Sequence, residues 1–447
     1  MRTSTNSPAS IAIASCAHLL KGGAGDYDLL LDLIGDARFV LLGEASHGSH
    51  EFYRERARIT QRLITEKGFT AVAVEADWPD AWRVNRYVRG EHGDADARQA
   101  LAGFRRFPAW MWRNTEVVEF VEWLRGRNAA LPPAAAAGFY GLDLYSLFTS
   151  IDEVLRYLDR TDPEAGRRAR ERYACFDHFG EDSQRYGYVA AFDLSASCEE
   201  AVVAQLRDLQ ARTAERAGTE GDDPNARFYI EQNARLVASA ERYYRTMFHG
   251  RVSSWNLRDR HMADTLQALE EHLTRSGGQP AKIVVWEHNS HVGDARATEV
   301  GEQGEWTVGQ LARETWGEQT RLIGFTTHHG TVTAASDWDA PAEHKPVRPA
   351  LPDSYEELFH QVGMRAFYLP LRARNPATQI LAEGRLERAI GVIYRPRTER
   401  QSHYFYARLP QQFDAILHFD ETRALEPLEY GSHWRSHEAP ETYPAGL

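Results

Sequence analysis

Five short apolar runs limit what this chain can fold into: Phe39-Val40-Leu41-Leu42-Gly43, Ala71-Val72-Ala73-Val74, Gly138-Phe139-Tyr140-Gly141-Leu142, Ile283-Val284-Val285-Trp286 and Leu322-Ile323-Gly324-Phe325. None alternates apolar with polar residues, so each suits a strand buried on both faces, as in a parallel sheet covered by helices. Each run ends in titratable or polar residues. Glu44 and His47 follow the first, Glu75 and Asp77 the second, and Asp143 the third. Glu287, His288 and His291 follow the fourth, and Thr326, Thr327, His328 and His329 the fifth. Ligands of open α/β sheets bind beyond the carboxyl ends of the strands. Five strands delivering such groups to one end predict a single site, and an enzyme.

The intervening segments extend this picture. Residues 49 to 67 predict a helix with Phe52, Ile59 and Leu63 on an apolar stripe and His50, Arg54 and Arg58 at i, i+4 and i+8. Strands at 37–43 and 70–76 around it complete a βαβ unit. Trp78-Pro79-Asp80 opens another helix, and residues 108–123 are helical in period. From about 150 to 275 the strand signal vanishes, while 194–217, 227–247 and 258–275 show helical periodicity, with Gly221-Asp222-Asp223-Pro224 separating the first two. The expected class is α/β: a mostly parallel sheet flanked by helices, with a helical insertion and a smaller α+β C-terminal portion. Residues 1–150 and 276–330 are the expected catalytic halves, 151–275 the substrate-recognition insertion, and 331–447 the α+β portion, with strand candidates at 389–394 and 404–407.

A chain of 447 residues suffices for a large core, and its net charge of −12 weighs against nucleic acid. No apolar run approaches the roughly 18 residues of a membrane span. The three cysteines, Cys16, Cys175 and Cys198, make neither a metal spacing nor a disulfide framework, which predicts a reducing, cytoplasmic setting. Ile13-Ala14-Ser15-Cys16 resembles a lipoprotein box, but the stretch before it is too short and polar, so a helix is expected there.

In Glu44-Ala45-Ser46-His47-Gly48, Ser46 only partly resembles a nucleophile elbow, because Glu44 replaces the first glycine. Capping of the following helix is its expected role. His47 and His50 are spaced by three, not the four of a His-Glu-x-x-His helix. Two centres remain open at this point. One is a zinc or manganese site of His47, Glu75, His288 and His291. The other is metal-free: one histidine activates water, a carboxylate fixes its tautomer, and Arg56 binds a substrate oxygen or a developing oxyanion. A third reading, a small-molecule or haem-binding protein without turnover, makes little use of so many paired acids and bases.

The block Leu41-Leu42-Gly43-Glu44-Ala45-Ser46-His47-Gly48, with Glu51-Phe52 and Arg56, resembles the opening motif of the erythromycin esterase family. Val74-Glu75-Ala76-Asp77, Tyr140-Gly141-Leu142-Asp143, Trp255-Asn256-Leu257-Arg258-Asp259 and Trp286-Glu287-His288-Asn289-Ser290-His291 agree with it, as do Phe413-Asp414-Ala415 and Asp420-Glu421-Thr422-Arg423. The resemblance implies an α/β hydrolase of carboxylic esters or macrolactones with a small-molecule substrate and a wide cleft. Macrolide substrates, and with them antibiotic resistance, belong to that family's best-known members. It implies His47 as the base, Glu44 and Glu75 as orienters of histidines or water, and Arg56, His288 and His291 as the rest of the polar centre. His50, Asp77, Asp143 and Arg258 are the expected substrate-binding set, with no cofactor required. Arg185, Tyr186, Tyr243 and Tyr244 of the insertion are either cleft or packing residues, and aromatics at helical spacing are more often packing.

Overall fold

The computed structural model describes residues 7–179, 183–192, 197–218, 223–248 and 250–429. Its strands are β1 (His18–Leu19), β2 (Phe39–Leu42), β3 (Ala71–Asp77), β4 (Gly138–Asp143), β5 (Ile283–Trp286), β6 (Thr320–Ala334), β7 (Glu343–Val347), β8 (Ala366–Pro370), β9 (Arg385–Arg388), β10 (Tyr404–Ala407) and β11 (Ala415–Thr422). Nine form one sheet in the order β1-β8-β11-β6-β2-β5-β3-β4, with β7 paired to β6. From β11 to β4 every neighbour runs parallel, and β8 and β1 close that edge antiparallel. This is a mixed, mostly parallel sheet flanked by helices.

The lack of alternation has a direct cause. Successive side chains of a strand point to opposite faces, and here both faces carry helices. Phe39, Leu41, Ala71, Ala73, Ile283 and Val285 enter one core, which the helices between residues 147 and 277 cover. Val40, Leu42, Val72, Val74, Val284 and Trp286 enter the other, under the helices His50–Glu66, Trp78–Val88 and Thr115–Ala129. Phe52, Ile59 and Leu63 supply the first of those helices with its buried stripe.

Several elements differ from expectation. The fifth run does not end at Phe325: β6 continues to Ala334 and pairs with β7, so His328 and His329 lie within a strand. Residues 108–123 divide into a short turn at Ala109–Met111 and a helix, Thr115–Ala129, whose start is set by Asn114 accepting from the Val117 amide. Residues 389–394 form only isolated bridges at Ile390 and Ile393, and the strand there is β9, paired with β10. The helix expected from 194 begins at Glu199, and residues 194–196, 221–222 and 430–447 lie outside the described residues. Cys175 and Cys198 are joined in a disulfide, against the expectation of three separate thiols, because the chain folds back between them and brings their Cα atoms to 5.9 Å. Cys16 is free, at the end of the helix Pro8–Cys16. No helix among the described residues is long and apolar enough to cross a membrane.

Candidate active site

β2, β5, β3 and β4 lie side by side and parallel, so the residues that follow them meet at one edge of the sheet. Beyond β2 the chain turns through Glu44 and His47 into the helix His50–Glu66. Within that turn the Glu44 carboxylate reaches the ring three residues on: Oε1 lies 2.9 Å from His47 Nδ1. Its Oε2 accepts from Arg56 Nη2 at 2.7 Å. Arg56 is fully buried behind Glu44, its guanidinium over the rings of Tyr53 and Trp286 at 4.4 and 5.3 Å. A carboxylate held by a guanidinium only accepts, so His47 donates from Nδ1 and keeps its lone pair on Nε2.

Next to this pair, β3 ends in Glu75 and Asp77 and β4 in Asp143. The helix Arg251–Gly277 lays Arg258 across them. Its Nε and Nη2 donate to the two oxygens of Asp143 at 3.0 and 2.7 Å, and Nη2 also reaches Glu75 Oε1 at 2.7 Å. Burial works to raise both carboxyls, yet both sit below their ordinary range: His291, Arg258 and His47 hold Glu75 down, and Arg258 holds Asp143 down. Glu75 Oε2 also accepts the His288 amide at 2.9 Å.

β5 supplies the histidines. His291 Nδ1 lies 2.9 and 3.0 Å from the two oxygens of Asp259, and its ring stacks on Trp255 at 4.5 Å. Its Nε2 accepts from Arg258 Nη1 at 3.0 Å, which places the ring proton on Nδ1. Burial opposes protonation of His291, but Asp259 and Glu75 outweigh it and lift its proton affinity above the ordinary value. His288 behaves oppositely. Burial, then the neighbouring His47, push it far down, so it is a neutral imidazole whose Nδ1 accepts from the Ser290 amide at 3.2 Å. Its ring centre is 4.8 Å from that of His47. His47, Glu75, Asp77, Asp143, Arg258, His288 and His291 all border one cavity of about 470 Å³. Its outer walls are aromatic, with Phe104, Phe107, Trp112, Tyr145, Trp338 and Phe405 among them.

The family sequence model for erythromycin esterase matches residues 64–422. The chain belongs to the erythromycin esterase family. The match takes in Glu75, Asp143, Arg258, His288 and His291 and starts after Glu44, His47 and Arg56. The chain is 22% identical over 426 residues to the erythromycin esterase type II of Escherichia coli, covering 90% of each. It is also 22% identical over 417 residues to the putative hydrolase YbfO of Bacillus subtilis, covering 88% of this chain and 85% of that one. A crystal structure from Bacillus cereus superposes with a TM-score of 0.78 at 22% identity, over 94% of this chain and 98% of that one. A mutant erythromycin esterase EreC in its open conformation gives 0.63 at 18% identity, over 89% and 93%. Those structures show the same fold, and membership of this family of esterases supports a hydrolase acting on a small molecule.

Within this family member, three sequence-based placements need correction. Arg56 does not face the cavity, because its helix turns it toward the buried side of Glu44. His50 does not line the cavity either: its Nδ1 is engaged by Glu116, which pulls the ring to the far side of the helix. Ser46 does not cap the helix; its hydroxyl bonds Ser49, the N-cap residue, which itself makes no side-chain cap. Tyr186 and Tyr244 are core residues, as aromatics at helical spacing commonly are, and neither Arg185 nor Tyr243 borders the cavity. His328 and His329 lie away from it. Glu287, adjacent to His288, points into the protein, where burial and then Glu75 and Asp259 push its carboxyl far up and keep it neutral. Asp259, the partner of His291, was visible only as the neighbour of Arg258 in a helical stretch, where no strand-end rule points.

Two expected effects arise here. A Cβ on Gly48 would stand 1.8 Å from the Thr333 carbonyl oxygen, and the Gly48 carbonyl already accepts the Thr333 and Leu425 amides at 2.9 Å. Backbone on both sides cannot yield, so Gly48→Ala is expected to cost about 1–3 kcal/mol or more in thermal or denaturant unfolding. Asp80, beside Asp77, is pushed up to about 7 by burial and then by Asp77. An acid raised on folding binds a proton more tightly in the native state, so stability falls as pH climbs from about 4 to 7. Asp80→Asn removes that slope: its advantage over wild type should be near zero at pH 4 and reach about 4 kcal/mol above pH 7. Denaturant midpoints of both proteins across that window check this.

Proposed function

We propose that this protein hydrolyses a carboxylic ester or lactone with water activated by His47. The reading rests on one observation: the Glu44–His47 pair is locked from behind by Arg56, and His47 borders the cavity with its Nδ1 already engaged, which leaves Nε2 for water. In the first step Nε2 takes a proton from water as its oxygen attacks the carbonyl carbon. The negative charge that forms on the carbonyl oxygen faces the positive field of Arg258. In the second step the C–O bond to the alcohol breaks, and the His47 imidazolium returns the proton to the leaving oxygen. Ester and water become acid and alcohol, with His47 restored. The aromatic outer wall favours a bulky apolar acyl or alcohol portion.

A divalent ion held by His47, Glu75, His288 and His291 does not match this arrangement. The Arg258 guanidinium contacts both Glu75 and His291, at 2.7 and 3.0 Å, where a shared ion would need their lone pairs. No step is therefore assigned to a metal, and a non-catalytic haem pocket leaves the Glu44–His47 pair without a purpose.

The test is mass spectrometry of a panel of macrolides, simple lactones and aryl esters after incubation in ordinary and ¹⁸O-labelled water. A gain of one water on a lactone, or cleavage with label in the acid, is the expected result. Absence of turnover across esters, lactones and macrolides would overturn the hydrolase reading.

A further inference from the structure

The extension of β6 that the sequence did not foreshadow carries a second cluster of histidines. β6 and β11 stay paired in parallel as far as Gly330 and Thr422, with His418 opposite Thr326 and Glu421 opposite His329, so His328 and Asp420 fall at the same level between those pairs. The short helix Tyr355–His360 packs over both strands and adds Glu357 and His360. His328 Nδ1 faces His329 Nδ1 at 2.9 Å, and ligand atoms from His328, His329 and Asp420 all lie within 4.8 Å of one another. His328 is buried, while His329 and Asp420 are half-buried and open to solvent. None of the three borders the catalytic cavity.

We propose that His328, His329 and Asp420 form a binding site for one divalent ion of the zinc class, separate from the catalytic centre. Two imidazole nitrogens at this separation cannot both present lone pairs to each other: they share one proton, or they share a cation. Metal–nitrogen bonds of about 2.0–2.1 Å set ligand atoms about 3.3 Å apart around a tetrahedral ion. The two nitrogens are thus within a few tenths of an ångström of that spacing, and an Asp420 oxygen lies within 4.8 Å of both. The surrounding groups are those that outer partners of a metal site supply. His328 Nε2 lies 3.2 Å from Glu357 Oε2, which draws the proton to Nε2 and frees Nδ1 to ligate. His360 Nδ1 holds Asp420 Oδ1 at 2.7 Å, with its ring stacked on His328 at 3.9 Å between centres. Two nitrogens and one carboxylate oxygen suit zinc, cobalt or nickel rather than calcium or magnesium. The fourth position, on the solvent side, is left for water. An ion here would tie β6 to β11 beyond the point where the main sheet supports them.

Protein purified without a histidine tag and stripped with chelator should bind one zinc ion per chain in calorimetric titration. Cobalt in its place should show visible d–d absorption of nitrogen–oxygen coordination. His329→Ala and the isosteric Asp420→Asn should each weaken binding by about tenfold or more, whereas His47→Ala should leave it unchanged. Should His329→Ala fail to fold by circular dichroism, Asp420→Asn carries the same comparison. Absence of saturable one-to-one binding in wild type overturns the proposal. So does binding that survives both variants, or binding lost with His47→Ala, which would move the ion to the catalytic centre.

Discussion

His47→Ala should lower kcat/KM for every ester the wild-type protein cleaves by roughly 10²–10⁴-fold, the usual contribution of a positioned general base. Folding should survive. Glu44 keeps its ion pair with Arg56, so truncating the ring leaves one carboxylate oxygen unpaired at a cost of about 1–2 kcal/mol. Glu44→Gln sharpens the test because it changes the tautomer and hardly the shape. A glutamine amide can donate to Nδ1, which moves the ring proton to Nε2 and removes the lone pair that water needs. The analogous Asp→Asn change in a serine protease triad costs about 10⁴-fold, and a large loss in kcat with little change in KM is expected here. Wild-type rates in His47→Ala would transfer the base role to His291, the other cavity histidine with a carboxylate on Nδ1.

The difference between the two histidines shows how far strand-end reasoning reaches. Glu75, Asp143, His288 and His291 were legible because each lies within five residues of the end of an unbroken apolar run, and parallel strands put such residues at one edge. Arg258 and Asp259 follow no strand. They come from the first turns of a long helix far along the chain, and only the folded packing brings that helix over β3, β4 and β5. The resemblance to the family motif supplied Arg258, and it carried Asp259 in the same block without a role. Arg56 and His50 lie on a helix correctly placed in sequence, but helical periodicity tells which residues share a face and not which partner turns each one. A buried Glu44 drew Arg56 inward and Glu116 drew His50 aside.

The fold was legible to the same extent. Its parallel core announced itself through runs that are apolar on both faces. The order of strands did not, since β5 enters between β2 and β3 only after some two hundred intervening residues, through pairing that leaves no local trace. β6 extends through Thr326-Thr327-His328-His329, a polar stretch with no strand signature, because β11 and β7 supply its hydrogen bonds. The disulfide between Cys175 and Cys198 depends likewise on a chain reversal that the spacing alone does not encode.

Arg258→Met should be strongly destabilising, and the Asp143 part of its pH dependence should run opposite to that of the wild type. Arg258 is the common partner of two buried carboxylates, with side-chain exposures of 14% for Arg258, 4% for Glu75 and 5% for Asp143. Removing one member of a buried ion pair typically costs about 3–5 kcal/mol, because the charge left behind is no longer compensated. In the wild type, Glu75 and Asp143 are depressed on folding. Their ionised forms therefore contribute stability that is full above the unfolded value of about 4 and is lost as pH falls through the lower folded values. Without Arg258, burial dominates Asp143 and raises it, while His291 and His47 still hold Glu75 down. An acid raised on folding loses stability as pH climbs above about 4. Urea unfolding at pH 4.5 and pH 8 should thus show a deficit that is larger at the second, where it reaches about 3–5 kcal/mol. Arg258→Lys, which keeps the charge but cannot bridge two carboxylates, should fall between. Turnover should be lost in Arg258→Met even where it remains folded, since Glu75, His291 and the developing oxyanion all look to the same guanidinium. A deficit of equal size at both pH values would mean that Arg258 acts through its volume, and the electrostatic account of the centre would have to be abandoned.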